Sequence, residues 1–410
     1  MAHTELTESE RRRGLLVMLA VTFLMWGGFF MVIPLISVYY VDTLGWAAAG
    51  IGLVLAVRQV TQQGLTLFGG ALADRMGATS LIAVGLLVRA LSFFGMAYAG
   101  TYPLLMLAAF LAALGGALFD SPSSAAIAAL TRADDRARYF SLLGVARGLG
   151  MTLGPLAGAL LLRFDFSLVA LVAGAAFLLA FFVTLPFMPP VQVATERRGL
   201  TEGIRMALAD RRFMLFNLLL MGYWFMWVQL TISLPLEARE VSGTPDAVSW
   251  VYALNAVMSL VLQVPLMSLA ERWLRPLPIL VLGTALMALG LGGVAVVGSV
   301  PVLLLCVALF SLGALLAAPS QQTVAAELAN PAALGSYFGV NALALAFGGG
   351  IGNFSGGVLY GLGRDAGAPA LPWLVFCAVG LAAAAGLWLM DRLVGRAARR
   401  DEAAKPVEQL

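Results

Sequence analysis

Gly116-Ala117-Leu118-Phe119-Asp120-Ser121-Pro122-Ser123 returns 197 residues later as Gly313-Ala314-Leu315-Leu316-Ala317-Ala318-Pro319-Ser320. Both copies keep Gly-Ala-Leu and Pro-Ser; where the first holds Asp120, the second holds Ala317. The echo widens around this pair. Tyr139-Phe140, Gly154 and Gly158 recur as Tyr337-Phe338, Gly352 and Gly356, and Leu72-Ala73-Asp74-Arg75 has a degraded image in Leu269-Ala270-Glu271-Arg272. Both sets lie in long apolar runs, so the chain reads as two similar halves, each several membrane spans long. Such halves form a pseudo-two-fold molecule with a site expected between them.

Composition supports a membrane setting. Of 410 residues, 61% are hydrophobic and 11% charged, too few polar groups to cover a soluble protein of this length. A helix needs about 20 residues to cross a bilayer. Twelve runs qualify, at 15–40, 47–72, 79–99, 103–128, 139–162, 166–188, 214–237, 247–269, 277–297, 301–326, 335–361 and 371–392. The runs are continuous rather than alternating in polarity, which favours helices over a barrel. The expected fold is an all-α polytopic membrane protein of twelve transmembrane helices in two six-helix bundles. Its parts are a tail at 1–14, a bundle at 15–188, a linker at 189–213, a second bundle at 214–392 and a tail at 393–410.

Lys and Arg placement gives an orientation. Arg11–Arg13, Arg75, Arg132, Arg136, Arg138, Arg197, Arg198, Arg205, Arg211, Arg212, Arg272, Arg275 and the tail from Arg392 fall on one side; Arg163, Arg239 and Arg364 fall on the other. The positive-inside rule then puts both termini in the cytoplasm. The net charge of +3 reports this topology and gives no reason to expect a nucleic-acid partner. The first run lacks a small-residue cleavage site and is too long for a signal peptide. Cys306 and Cys377 read as small apolar residues inside spans, and His3 as part of a polar tail. No metal site, disulfide framework or histidine-based catalysis is expected, and so no enzyme.

The polar linker 189–213 begins Pro189-Pro190 and is rich in Arg. Thr201 to Phe213 has two readings, an amphipathic helix on an anionic leaflet or a plain tether between bundles. The fifth span carries Gly144, Gly148, Gly150, Gly154, Pro155 and Gly158, and the eleventh carries Gly348, Gly349, Gly350, Gly352, Gly356 and Gly357. Small residues let helices approach closely. Simple packing explains such runs; so does sliding along the interface between bundles.

Gly70-Ala71-Leu72-Ala73-Asp74-Arg75-Met76-Gly77 resembles the G-x-L-a-D-R-x-G signature of the major facilitator superfamily in sequence and in its place between spans two and three. The resemblance assigns Gly70, Asp74, Arg75 and Gly77 to gating. Asp74 lies on the face where the eleventh helix begins, and a carboxylate near that positive helix end would latch one side shut. A purely structural turn is the alternative. The family's trailing basic pair is replaced by Ala78 and Thr79. Gly150, Gly154, Pro155 and Gly158 resemble the family's antiporter motif G-x-x-x-G-P-x-x-G, with Ser141 and Ala159 in place of further glycines. The fourth-span R-x-x-x-G of many exporters is absent, since Leu111 stands where its arginine would. Local matches from Pro34-Leu35-Ile36-Ser37 through Gly45-Trp46, Arg58-Gln59 and Gln62-Gln63-Gly64 to Asp120 and Pro122 are similar to the drug:proton antiporter branch, over roughly 15–390. That resemblance implies proton-driven efflux of small amphiphilic compounds across a bacterial-type inner membrane. It implies a proton gradient as energy source, no cofactor, and a monomer surrounded by membrane lipids.

Charges at bilayer depth are costly, about 2.5–3.5 kcal/mol each on insertion scales, and call for a partner or water. Arg58, Arg89, Asp120 and Arg147 lie at such depth. Asp120 and Arg147 sit equally far from their span ends, so they are expected to pair, as a proton-coupling site or as a fixed structural bridge. Asp42, at the outer end of span one, is a second candidate for proton coupling. Arg58 and Gln62 share a helical face directed to a substrate cavity or into packing, while Arg89 reads as an internal tie. Three arginines against one or two carboxylates favour zwitterionic or anionic substrates. Trp26 and Phe30, Tyr223 and Trp227, and Tyr252 and Asn255 are placed to wall an apolar cavity, or simply to pack. A proton-coupled symporter for an anionic metabolite remains the alternative to export.

Overall fold

The computed structural model describes residues 7–131, 133–189, 200–244, 246–330 and 333–403. Within the helices, the side chains at 67–75, 121, 125, 128, 133–138, 140–141, 200–201, 334–335 and 394–403 lie outside that description. The elements are α1 Glu8–Ser37, α2 Ala48–Met76, α3 Ala78–Ala97, α4 Tyr102–Leu130, α5 Ala133–Leu162, α6 Phe166–Phe187, α7 Leu200–Ala209, α8 Arg211–Trp227, α9 Ser233–Ser242, α10 Asp246–Glu271, α11 Pro276–Gly293, α12 Val300–Leu328, α13 Leu334–Asp365 and α14 Leu371–Ala403. Eleven segments among the described residues are long and apolar enough to span a bilayer, with α8 and α9 counted as one, Arg211–Ser242. The remaining long helix, α2, has 29 residues and carries the polar set Arg58, Gln59 and Gln62. Alternation of twelve crossings puts both chain ends on one face, here the terminal face, and the opposite side is the far face.

Local chemistry sets the boundaries. Thr7 and Glu10 form a capping box that starts α1 seven residues before the expected span, inside the expected tail. Asp210 caps α8 by accepting from the backbone N–H groups of Arg212 and Phe213 at 3.0 and 3.1 Å. The signature segment is the last turns of α2 rather than a loop. Gly77 alone makes the turn into α3, with a φ of 83° that a side chain would strain. The expected tail at 393–410 continues α14 as helix to Ala403. In the linker, α7 lays Ile204 and Ala207 against Phe213, Met214 and Tyr337, so its apolar face meets protein rather than lipid.

The repeat survives as matched packing. In the first half an added Cβ on Gly150 would lie 2.9 Å from the Phe23 carbonyl oxygen, one on Gly154 would lie 2.5 Å from the Gly27 carbonyl oxygen, and Gly158 abuts the Met31 carbonyl. In the second half Gly348 meets Met221, Gly352 meets Phe225 and Gly356 meets Gln229, each pair 198 positions on. Gly85 packs on Gly115 between α3 and α4 as Gly283 packs on Gly313 between α11 and α12. Gly150, Gly154 and Gly158 thus pack α5 on α1 inside one bundle. In α13 Gly349, Gly350 and Gly357 turn to the other bundle, against Gln59, Val60 and Ala48 of α2.

One crossing is broken. Between α8 and α9 the chain passes through a 3₁₀ turn at Val228–Leu230 and two non-helical residues. Pro235 explains it: having no N–H, it cannot bond the Thr231 carbonyl four residues back. The freed groups are satisfied locally and across the molecule. Tyr252 donates its hydroxyl to the Leu230 carbonyl, Gln229 Nε2 donates to the carbonyls of Phe225 and Gly352 at 2.8 and 2.9 Å, and Ser37 Oγ donates to the Thr231 carbonyl at 3.3 Å. Irregular backbone at membrane depth is tolerated where protein supplies such partners.

Candidate functional site

Helical spacing on α2 puts Arg58 and Gln62 on one face, one turn apart, and α4 brings Asp120 against them. Gln62 Nε2 donates to Asp120 Oδ2 at 2.9 Å; Arg58 Nη1 donates to Gln62 Oε1 and Arg58 Nη2 to Gln59 Oε1, both at 3.0 Å. Gly116, one turn before Asp120, admits the Gln62 amide, because a Cβ there would stand 2.7 Å from Gln62 Cδ. Arg58 and Arg89 both hold their guanidinium carbons over the Phe29 ring, at 5.0 and 4.8 Å, and Arg89 also lies 5.6 Å from the Phe177 centroid. Arg89 Nη1 donates to Met25 Sδ at 2.7 Å. Only 7% of Arg58 and 2% of Arg89 is exposed, and the Nε of each has no acceptor. Asp120 is close enough to act electrostatically on both arginines, and the two arginines repel one another. The core of the first bundle therefore holds two cations, one carboxylate and ring faces that solvate the surplus charge.

Arg147 departs from expectation. It is exposed, stacks over Trp26 with its guanidinium 4.7 Å from the ring centroid, and makes no ion pair with Asp120. Equal depth on two helices does not make two side chains face each other: Asp120 is turned to α2, Arg147 to α1. Trp26 in turn stacks on Phe30 at 5.9 Å, with Phe30 itself buried. Tyr223 and Tyr252 are also buried, so they pack rather than present a wall; Trp227 is half-buried against Trp224 at 5.7 Å. Asn255 is half-buried and accepts from Ser311 Oγ at 3.0 Å. The side chains of Gly70, Asp74 and Arg75 lie outside the described residues.

Asp42 stands apart from this network, on a π-helical turn, Val38–Thr43, that ends the first crossing. It faces Arg239 at 3.7 Å and Arg364 at 3.9 Å, both from the second bundle. Arg364 also reaches Glu240 at 4.0 Å, and Tyr360 donates to Glu240 at 2.6 Å. Arg163 meets Asp246 at 3.1 Å, and Arg239 Nη1 donates to Thr43 Oγ1 at 3.3 Å. These far-face arginines are more than the topology markers expected from their placement, and Glu240 and Tyr360, not among the expected site residues, join them. Spacing carries one signal for them: Glu240 and Arg239 adjoin one span end as Tyr360 and Arg364 adjoin another.

Among the described residues, every hydrogen bond or ion pair between the bundles lies at this far-face end, or at Ser37 and Thr231 just beneath it. Burial along α10 stops at Met258, and from Ser259 to Glu271 no residue is buried. The half of α5 that holds Arg147 has open space beside Gly144 and Gly148. Among the described residues, the ties between the bundles thus lie on the far face.

Two like bundles, matched glycine contact for glycine contact, are the arrangement that a sequence profile of the Major Facilitator Superfamily recognises twice here, over residues 18–244 and 222–409. The chain belongs to the Major Facilitator Superfamily. Within it, the chain is similar to the multidrug resistance protein MdtH of Photorhabdus laumondii, 42% identical over 354 residues that cover 86% of this chain and 88% of the relative. MdtH of Yersinia enterocolitica is 40% identical over 361 residues, covering 88% and 90%. Solved transporter structures share the fold at low identity. A POT family transporter bound to a thioalcohol-conjugated peptide gives a TM-score of 0.79 at 15% identity, over 93% of this chain and 96% of that one. A bacterial homologue of the human lysosomal transporter Spinster, inward-facing and unoccupied, gives 0.76 at 16%, over 94% and 98%.

Proposed function

We propose that this superfamily member exports small amphiphilic compounds, zwitterions and anions among them, in exchange for protons by alternating access. It would sit as a monomer in a bacterial-type inner membrane with the terminal face cytoplasmic, drawing on the proton gradient and no cofactor. The observation that carries the reading is Asp120: a carboxylate at membrane depth, held by a neutral amide beside two arginines, with Ala317 at the corresponding place in the second bundle. A carboxylate placed there would load and release a proton as the access of water to it changes. Ties between described residues at the far face, and exposed Arg147 beside Trp26, support a chamber opening to the cytoplasm. The relatives' name, multidrug resistance protein, supports outward transport.

The test is dye efflux driven by an imposed pH gradient in everted vesicles, comparing the wild type with Asp120→Asn. Loss of gradient-driven efflux is expected; coupling retained in the variant removes Asp120 from the carrier role. The positive surplus of Arg58 and Arg89 also suits a symporter for an anionic metabolite. Counterflow under the same gradient separates the two by the direction in which substrate accumulates.

A further inference from the structure

We infer that Gln62 is the positioning residue that carries the charge state of Asp120 to the contact between the bundles, and that Gly116 leaves the space its amide needs. The inference rests on the proposed role of Asp120 as proton carrier. A primary amide has a donor end and an acceptor end, and both ends of Gln62 are committed: Nε2 to Asp120, Oε1 to Arg58. Arg58 in turn holds Gln59, whose Cγ lies 3.3 Å from where Gly349 of α13 would carry a Cβ. Three side chains, Gln62, Arg58 and Gln59, thus join a carboxylate in the first bundle to a contact with the second.

The chain has a fixed polarity. When a proton from chamber water bonds to Asp120 Oδ2, that oxygen presents O–H to an N–H, donor against donor. The amide must then withdraw or turn over. Turned over, it offers Nε2 to a guanidinium that has no acceptor. Either course takes the Arg58 Nη1 partner away and frees Arg58, with Gln59, to move. A proton on Oδ1 instead weakens the bond from charge-assisted to ordinary. Among the described residues, Arg58 on α2 and Arg89 on α3 act on Asp120, Arg147 on α5 is stacked on Trp26, and α1 contributes the neutral Phe29. Gly116 is the second line of support, since a methyl there would lie 2.7 to 3.0 Å from all three heavy atoms of the amide group.

The experiment uses the full chain in liposomes, with rhodamine B, a carboxylate-bearing zwitterion, as the probe. The readout is the ratio of transport with an imposed pH gradient to transport without one. Gln62→Leu is expected to lower that ratio roughly tenfold, the scale of one lost hydrogen bond to a charged group. Gly116→Ala, which leaves Gln62 in place, is expected to lower it less. The Gln62→Leu/Asp120→Asn double variant is expected to be no worse than Asp120→Asn alone, because the residues act through one another; a structural fault would add to it. A wild-type ratio in Gln62→Leu beside a lost ratio in Asp120→Asn overturns the inference and leaves the proton carrier standing. A wild-type ratio in Asp120→Asn overturns the carrier itself. Should Gln62→Leu fail to assemble, a wild-type ratio in Gly116→Ala overturns the inference and a lowered one supports it.

Discussion

Ser37 donates its hydroxyl across the bundle boundary to the carbonyl of Thr231, which is free because Pro235 returns no N–H to it. One proline therefore does two things: it breaks the seventh crossing and creates an acceptor for the other half of the molecule. Pro235→Ala would restore the helical bond and take the acceptor back, while Ser37→Ala removes the donor. Each is expected to weaken far-face closure by about 0.5–1.5 kcal/mol, the net worth of a neutral hydrogen bond, and the two together by little more than either alone. Spin labels at Phe164→Cys and Thr244→Cys, with Cys306 and Cys377 replaced, report this as a larger share of the long distance.

Asp42 lies between Arg239 and Arg364 of the opposite bundle, at 3.7 and 3.9 Å. Arg364 is half exposed, so solvent screening keeps its share small. Asp42→Asn is expected to shift the closed population by roughly 1 kcal/mol or less. In the wild type, 1 M salt, where the Debye length is about 3 Å, should produce part of the same shift. The same label pair reads both. A closed population indifferent to Asp42→Asn and to salt would show that backbone and apolar contacts alone hold that face.

The fold was legible because span length and the repeat are both properties of the chain in one dimension. Arg58 and Gln62 were legible as a pair for the same reason, four residues apart on one helix. The pairing of Asp120 with Arg147 failed because depth is one coordinate and direction around the helix axis is another. Trp26 captures Arg147 on α1, and Gln62 captures Asp120 on α2. Tyr223 and Tyr252 show the same limit: polar-tipped aromatics on one face look alike whether that face meets a chamber or a neighbouring helix. The broken crossing was written in Pro235 and passed over, since the flanking run is continuous in hydropathy.

Glycines within one helix are expected to differ sharply. Gly154→Ala would press a methyl within 2.5 Å of the Gly27 carbonyl oxygen, and overpacking of this kind costs about 1–3 kcal/mol. Gly148 has open space, so Gly148→Ala should be neutral or stabilising by about 0.5–1 kcal/mol through backbone entropy. The matching site in the second half, Gly352→Ala, meets Val228 and Phe225 at 2.7 Å and should behave like Gly154→Ala. Thermal unfolding of the three purified variants in detergent ranks them. A Gly154→Ala protein as stable as Gly148→Ala would mean that α1 and α5 are not held at that separation.

Arg89 has an apolar counterpart that shows what its position tolerates. The Arg89 nitrogen lies 2.9 Å from where Gly115 would carry a Cβ, and the Met287 nitrogen lies 2.6 Å from the same point on Gly313. The scaffold thus accepts a thioether side chain at the matching place. Removing a buried cation lifts its desolvation cost, and Arg89, which has no ion-pair partner among the described residues, has little to lose: one hydrogen bond to a sulfur, two ring contacts and an Nε without an acceptor. Arg89→Met is therefore expected to match or exceed wild-type thermal stability. Arg58→Met should lower stability, because it strands the amide oxygens of Gln59 and Gln62, each at about 1–3 kcal/mol for a buried group left unpaired. The contrast separates a charge kept for the field it exerts on Asp120 from one that also holds a network together. Equal losses in the two variants would place Arg89 among the structural ties instead.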